Sequence, residues 1–163
     1  MKKLKEFEQL IKNYLQNEIY LPIISDFLEW FSEKIKIHFN KNTPNLKFQK
    51  WDIYFVNLWK NIWSELNKTR PCVIYSKRSF NSKNWVIIIP LKSFKWKIIE
   101  KFQVKIEKNK WNWLEKDSIV DIFQIKNIST KRLNKYIWKL DKKYLDKMDE
   151  KVIKIFWIKK QEH

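Results

Sequence analysis

Arg70 lies directly before Pro71, at the start of the apolar, β-branched stretch CVIYS (72–76). A guanidinium is planar and permanently charged, and it can donate two parallel hydrogen bonds to the oxygens of a phosphate. Pro71 biases Arg70 toward an extended backbone, which would project the side chain from the edge of a sheet. Arginine is rare in this lysine-rich chain. The pattern therefore indicates a fixed phosphate-binding cation, with a surface ion pair to Glu65 as the alternative.

Other catalytic chemistries find little support in the residue pattern. His38 falls in a predicted helical extension and His163 is the last residue, so we expect no pair of histidines acting as general acid and base. Cys72 is the single cysteine, forms no metal-ligand spacing with the histidines, and is predicted to be a core residue. The chain lacks a glycine-rich nucleotide-binding loop, and we expect neither a metal nor another cofactor.

The formal net charge of +17 favours a polyanionic partner, because lysine and arginine neutralise phosphates and release counterions. The alternative is that AT-rich codons, which encode the abundant Lys, Asn and Ile, account for much of the basicity. No apolar run approaches the roughly 20 residues of a membrane span. The charged start MKKLKEFEQL lacks the apolar core of a signal peptide. The default expectation is therefore a cytoplasmic protein.

The N-terminal quarter of the chain has helical periodicity. Residues 1 to about 20 carry apolar side chains at spacings of three and four, and we expect Pro22 to end this helix. A second helix would begin at Ser25 or Asp26. NKNTPNLK (40–47) is typical of a linker. We therefore predict an N-terminal helical extension and linker at 1–45, followed by a separate domain at 46–163.

Short β-like runs, which would position Arg70, dominate the second domain. STKRLNKYI (129–137) is interpreted as a short helix, and Asp141 can cap a final helix that runs to about Phe156. Closely spaced strands without long helices between them favour an antiparallel sheet or a small barrel, so the fold class is α+β. The runs are DIYFVNL (52–58), CVIYS (72–76), WVIIIPL (85–91), KFQVKI (101–106) and SIVDIFQI (118–125).

Tryptophan occurs ten times and glycine not at all. Average glycine usage near 7% predicts about 11 glycines in a chain of this length. Several tryptophans occupy turn-like positions where glycine is favoured, such as Trp63, Trp85 and Trp96. We hypothesise that many of them are encoded by UGA codons that the source organism reads as glycine. Ten UGG codons in the coding DNA would contradict this hypothesis.

With glycine placed at the tryptophans, residues 51–76 become (G)DIYFVNL(G)KNI(G)SELNKTRPCVIYS. This stretch resembles the MazF/PemK family of toxin endoribonucleases, in which Gly-Asp opens a strand, a loop carries Gly-Ser-Glu, and Arg-Pro opens the next strand. The resemblance covers about residues 48 to 160. Its pieces, in order, are Trp51-Asp52, Trp63-Ser64-Glu65, Arg70-Pro71, IIIPLKS (87–93), SIVDIFQIKNISTKRL (118–133) and WKLD (138–141).

The resemblance implies a small SH3-like antiparallel β-barrel with a C-terminal helix. It also implies a homodimer that binds single-stranded RNA across its interface, and a cognate antitoxin protein that occludes the RNA groove. The implied reaction is a metal-independent cut in which the ribose 2′-OH attacks the adjacent phosphate. The products would be a 2′,3′-cyclic phosphate and a 5′-OH.

The resemblance also implies site residues. Arg70 would stabilise charge on the phosphate, helped by Ser93 and Lys92, and Lys92 occupies a position where the family usually has threonine. Glu65 would orient Arg70, accept a proton, or remain a solvated carboxylate. Gln124 would contact a base or satisfy backbone groups, and Phe94 would stack on a base or pack in the core. The remaining RNA-binding candidates, all on the loop before Arg70, are Ser64, Asn67 and Lys68.

Three functions remain open from the sequence, and the third is a structural interaction protein whose basicity reflects only codon bias. The leading hypothesis is the toxin endoribonuclease, favoured by Arg70-Pro71 and the segment from Pro90 to Ser93. The alternative is a non-catalytic protein of the same fold, such as a gyrase-inhibiting toxin or a nucleic-acid-binding module, and Lys92 in place of threonine favours it. Fold alone does not separate these functions.

Overall fold

The computed structural model describes residues 1–39, 48–58, 66, 68–77, 79, 84–95, 98–110, 112 and 114–157. The chain divides into two compact units, Met1–Asn42 and Thr43–His163. The boundary predicted at residue 45 lies outside the described residues.

The first unit contains two helices, α1 (Lys2–Leu15) and α2 (Leu21–Phe39), with a short 3₁₀ turn at Glu18–Tyr20 between them. The prediction that Pro22 separates two helices was wrong, because Pro22 lies within the first turn of α2. Backbone N–H groups in a first helical turn have no intrahelical acceptor, so proline is tolerated there. Neither helix, nor any other in the described parts of the chain, combines the length and apolarity that crossing a bilayer requires.

In its described residues, the second unit contains a seven-stranded antiparallel sheet followed by one α-helix, α3 (Lys142–Ile155). The predicted α+β class is therefore confirmed. The main path of the sheet runs β4-β5-β3-β2-β1-β7, with β6 paired to β3. Within the described residues this path is open, since no ladder joins β4 to β7. The strands are β1 (Asp52–Asn57), β2 (Thr69–Ile74), β3 (Trp85–Ser93), β4 (Gln103–Ile106), β5 (Ser118–Asp121), β6 (Lys126–Ser129) and β7 (Leu133–Lys139).

The core of this unit lies against both faces of the central strands. Neighbouring residues of β2, such as Cys72 and Val73, are fully buried and belong to two separate apolar clusters. A strand buried on both faces reads as a continuous apolar run, which explains CVI in β2 and the adjacent Ile88 and Ile89 in β3. Ile87, in the same run, is 40% exposed. Helix α3 closes one cluster with Tyr144, Met148 and Val152.

The helix predicted at 129–137 is replaced by a 3₁₀ turn, Thr130–Arg132, and strand β7. Strand β7 pairs with β1, placing Leu133 opposite Val56 and Trp138 opposite Ile53. Both Leu133 and Trp138 are buried there. Tertiary pairing therefore overrides the helical pattern of this polar stretch.

Two tryptophans have left-handed backbone conformations that favour glycine. Trp51, which opens β1, has φ of 79°, and Trp157, just after the last turn of α3, has φ of 51°. For a bulky residue a positive φ is an outlier, whereas glycine adopts it without steric cost. These conformations support the hypothesis that glycine belongs at both positions.

Candidate active site

Three of the predicted catalytic residues, Arg70, Lys92 and Ser93, meet at the ends of two neighbouring strands. Strands β2 and β3 are antiparallel, with Cys72 opposite Pro90. The ladder ends at this pair, two residues from Arg70 on β2 and two residues from Lys92 on β3. Arg70, Lys92 and Ser93 all line the same cavity, so the structure brings them together.

This cavity, called the basic cavity below, has a volume of about 440 Å³. Its wall carries more positive than negative groups. Among its lining residues the cations are Lys68, Arg70, Lys92 and Lys116, and the carboxylate is Glu115. An open, cation-rich concavity concentrates polyanions such as nucleic acids near the wall.

A second cavity, of about 900 Å³, shares Arg70, Lys92 and Ser93 with the basic cavity. Its wall adds Lys95, Glu100 and the buried Gln103, among other residues. The three shared residues therefore stand where the two concavities meet.

Lys92 is held by an ion pair. Its ammonium Nζ donates a hydrogen bond to Oδ2 of Asp121 at 2.7 Å. The Asp121 side chain is only 8% exposed, whereas that of Lys92 is 33% exposed. The amide Nε2 of Gln103 donates to the same Oδ2 at 3.3 Å. The pair therefore links the buried end of β5 to the cavity wall.

The predicted RNA-binding residues have different surroundings. Lys68 has φ of 64° and its carbonyl accepts from the N–H of Leu58 at 3.0 Å, which turns the chain into β2 beside the basic cavity. Gln124 accepts a hydrogen bond at Oε1 from the N–H of Leu66 at 3.2 Å. Its side chain thereby holds the backbone just before Arg70. Ser64, Glu65 and Asn67 lie outside the described residues.

Phe94 follows β3 and lies at the edge of the site. Its backbone N–H donates to the carbonyl of Asp117 at 2.8 Å, and the Lys105 ammonium lies 4.8 Å from its ring centroid. Lys105 also pairs with Asp117 Oδ2 at 2.8 Å. This hydrogen bond lowers the pKa of Asp117. Phe94 is half-buried, and its ring already has a cationic neighbour.

Sequence reasoning missed the groups that β4, β5 and the segment before β5 bring to the site. Glu115 reaches the basic cavity, and Gln103 and Asp121 lie opposite each other in the β4–β5 ladder. Asp121 lies in the otherwise apolar stretch IVDIF (119–123). A charged residue in an apolar run is the signal that would have indicated a buried polar partner.

Cys72 is fully buried, and burial raises the pKa of its thiol. A buried protonated thiol is unreactive, as expected for the core residue that the sequence predicts. In the parts of the chain that the structure describes, no three His, Cys, Asp or Glu residues cluster as metal ligands would.

The second unit matches a known family. Residues 49–156 match the profile of a family described as "PemK-like, MazF-like toxin of type II toxin-antitoxin system". No curated protein sequence matches the chain significantly.

Solved structures share the fold at low sequence identity. MazF (Form-I) from Deinococcus radiodurans is 13% identical with a TM-score of 0.59, over 70% of this chain and 100% of that chain. The Mycobacterium tuberculosis toxin MazF-mt6 is 17% identical with a TM-score of 0.53, over 67% and 99% of the two chains. An endoribonuclease from a mycobacterial species, solved in complex with its cognate antitoxin, is 13% identical with a TM-score of 0.55, over 70% and 99%.

Proposed function

Because this chain belongs to the family of PemK-like, MazF-like toxins of type II toxin–antitoxin systems, we propose that it is an endoribonuclease that cleaves single-stranded RNA without a metal ion. The observation that carries this proposal is the convergence of Arg70, Lys92 and Ser93 on the basic cavity. It supplies two cations and a hydroxyl from adjacent strands, which are groups that bind a phosphate.

In the proposed reaction the ribose 2′-oxygen attacks the adjacent phosphorus, and the bond from phosphorus to the 5′-oxygen breaks. Negative charge builds on the phosphate oxygens of the five-coordinate transition state. The Arg70 guanidinium stabilises that charge with two hydrogen bonds, and Lys92 adds a point charge. The products are a 2′,3′-cyclic phosphate and a 5′-OH.

The reaction moves two protons, one from the 2′-OH and one to the 5′-oxygen. Glu115, the carboxylate on the wall of the basic cavity, is the proposed proton acceptor. Glu65, outside the described residues, is proposed to orient Arg70. Ser93 donates a hydrogen bond to a non-bridging phosphate oxygen, and a solvent water supplies the proton that the departing 5′-oxygen takes up to give the 5′-OH.

The proposed partners follow from the same cavity and from the family. We propose that the chain forms a homodimer and that a small cognate antitoxin blocks the RNA groove. The mycobacterial neighbour was solved in complex with its cognate antitoxin. An acidic segment of an antitoxin would complement the cations around Arg70. Light scattering of the chain alone and with its antitoxin tests both assemblies.

A cleavage assay tests the proposed activity. Purified protein is incubated with single-stranded RNA in EDTA, and fragments are analysed for 2′,3′-cyclic phosphate and 5′-OH ends. Arg70→Ala should lower kcat by about 10²–10³-fold, as expected for loss of a group that stabilises transition-state charge. Arg70→Lys keeps the charge and should recover only part of the rate, because lysine cannot form the paired hydrogen bonds.

Lys135→Ala is the control, since Lys135 is an exposed β7 residue that does not line the basic cavity. It removes one positive charge and should leave kcat within about twofold. If Arg70→Ala and the parent cleave RNA with the same kcat, Arg70 has no part in the reaction. Strict dependence on added magnesium would refute the metal-independent scheme.

A non-catalytic toxin of the same fold is the second candidate. The ion pair between Lys92 and Asp121 favours it, because part of the charge at the phosphate site is neutralised. RNA binding without cleavage, or inhibition of DNA gyrase by intact protein, would support this candidate.

A further inference from the structure

Asp121 is a buried carboxylate that the proposed reaction leaves without a role. The residue is 6% exposed, and its Oδ2 accepts hydrogen bonds from Lys92 and Gln103. Its other oxygen, Oδ1, is buried and accepts no hydrogen bond from any described residue. Burying a charged group with half of its hydrogen-bonding capacity unused costs stability.

Asp121 holds the ammonium group of Lys92 in place. A lysine ammonium sits on a flexible four-carbon stem, so alone it does not hold a defined position at a cavity wall. The 2.7 Å contact with Asp121 fixes one of its three N–H donors. Asp121 is itself fixed, because Gln103 donates to it at 3.3 Å and Gln103 Oε1 accepts from the Glu100 N–H at 3.3 Å.

We propose that Asp121 is a positioning residue that fixes the Lys92 ammonium at the junction of the two cavities, ready for a phosphate bound by Arg70. The inference rests on the proposed function and deepens it. Lys92 keeps two N–H donors beyond the one given to Asp121, and its side chain lines both cavities next to Arg70. Because Asp121 already holds the Lys92 side chain in place, Lys92 loses no further conformational entropy when its ammonium contacts the phosphate.

The first test is a double-mutant cycle on kcat and KM. Asp121→Asn keeps the shape of the side chain and removes its charge. It should lower kcat by about 10–100-fold, as expected when a reacting group is misplaced by about 1 Å, and change KM less than about threefold. In a Lys92→Met background the same change should alter kcat by less than about twofold, because Asp121 acts through Lys92.

Lys92→Met leaves Asp121 as a buried, unpaired carboxylate and is expected to be less stable than the parent. The pair Lys92→Met with Asp121→Leu avoids this problem, since an apolar pair of similar volume replaces the ion pair. Its kcat should equal that of Lys92→Met with Asp121→Asn. Thermal unfolding of every variant by circular dichroism checks that each is folded at the assay temperature.

Two kinetic results would overturn the inference. If Asp121→Asn cleaves as fast as the parent or faster, Asp121 neutralises Lys92 rather than positioning it. If Asp121→Asn slows cleavage equally with Lys92 and with Met at position 92, Asp121 serves only the stability of the fold.

A second measurement does not depend on catalysis. Protein labelled with ¹⁵N-lysine is examined by NMR, and the Lys92 Nζ signal is assigned by its loss in Lys92→Met. The parent should show this ammonium signal, slowed in exchange by Asp121, and uncleavable 2′-O-methyl RNA should shift it. In Asp121→Asn the signal should disappear through exchange with water.

These outcomes separate the two proposals. If the parent fails to cleave RNA but its Lys92 signal shifts with RNA and depends on Asp121, the proposed function fails and the positioning role stands. If the parent cleaves RNA and the Lys92 signal neither shifts nor depends on Asp121, the positioning role is overturned while the function stands. A parent that neither cleaves RNA nor shows a shift overturns both.

Discussion

Replacing Trp157 with glycine should stabilise the protein. Trp157 follows the C-terminal cap of α3 and has φ of 51°, in the left-handed region. A left-handed conformation costs a residue with a Cβ about 1–2 kcal/mol, whereas glycine adopts it freely. Glycine also costs about 0.5–1 kcal/mol of stability, because it loses more backbone conformational entropy on folding. Because the Trp157 side chain is 88% exposed, removing it forfeits little burial.

The expected gain in the free energy of unfolding is therefore about 0.5–1 kcal/mol. For a folded unit the size of Thr43–His163, this raises Tm by roughly 2–5 °C. Far-UV circular dichroism is the appropriate assay, because tryptophan fluorescence itself changes with the substitution. Urea unfolding gives the free energy independently of Tm.

Two control variants isolate the backbone effect. Trp157→Ala removes the ring but keeps the Cβ, so its stability should lie within about 0.3 kcal/mol of the parent. Trp85→Gly makes the same exchange at an exposed position within β3 and should lower stability by about 0.5–1 kcal/mol. The reasoning is refuted if Trp157→Ala gains as much as Trp157→Gly, or if Trp157→Gly loses stability.

Two further predictions concern titrating groups. Burial raises the pKa of the Cys72 thiol, so iodoacetamide at pH 8 should leave this thiol unmodified in the native protein and alkylate it only in urea. Intact-mass measurement detects the alkylation, and rapid alkylation of the native protein would contradict the burial of Cys72. The hydrogen bond from Lys105 lowers the pKa of Asp117 in the folded protein. The ionised Asp117 therefore stabilises the fold at pH values above its unfolded-state pKa, near 3.8, and this contribution is lost as the pH falls through its folded-state pKa. The difference in Tm between the parent and Asp117→Asn should therefore be largest near neutral pH and shrink below about pH 4, and an equal difference at pH 3 and pH 7 would contradict it.

The sequence predicts those parts of the fold whose secondary structure follows from the pattern of residues within the segment itself. The CVI of β2 and the pair Ile88 and Ile89 of β3 are buried on both faces, and such apolar runs indicate strands directly. The periodicity of α3 likewise predicts that Met148 and Val152 are buried, and both are. Arg70 was identifiable because the following proline restricts its backbone whatever the surroundings.

The parts that the sequence does not predict depend on register between distant segments. Strand β7 became extended because it pairs with β1, and nothing within 129–137 encodes that partner. The approach of Asp121 to Lys92 depends on the β3–β5 ladder, which joins residues about 29 positions apart. A single sequence shows that Asp121 is unusual in an apolar run, but not which cation will meet it.

At the two tryptophans with positive φ in the described residues, backbone strain opposes folding, and only side-chain contacts offset that strain. At Trp51 the positive φ is accompanied by real contacts, since the ring lies 5.1 Å from that of Tyr75 and the Lys50 ammonium 3.9 Å from its centroid. Contacts of this kind offset part of the backbone strain. Trp157 has no comparable burial, so strain there is not offset. The glycine hypothesis is therefore tested more sharply at Trp157 than at Trp51.

Total charge is a weaker argument for RNA cleavage than the position of two cations. At physiological ionic strength, charges more than about 8 Å apart are largely screened in solvent. Many lysines lie on helix surfaces beside carboxylates, as Lys12 lies beside Glu8 and Lys154 beside Glu150, and such exposed pairs contribute little at a distant phosphate. Arg70 lies on the cavity wall, where a bound phosphate would be within this distance. Arg70→Ala and Lys135→Ala change the net charge equally, so a large difference between their rates would show that position decides the activity.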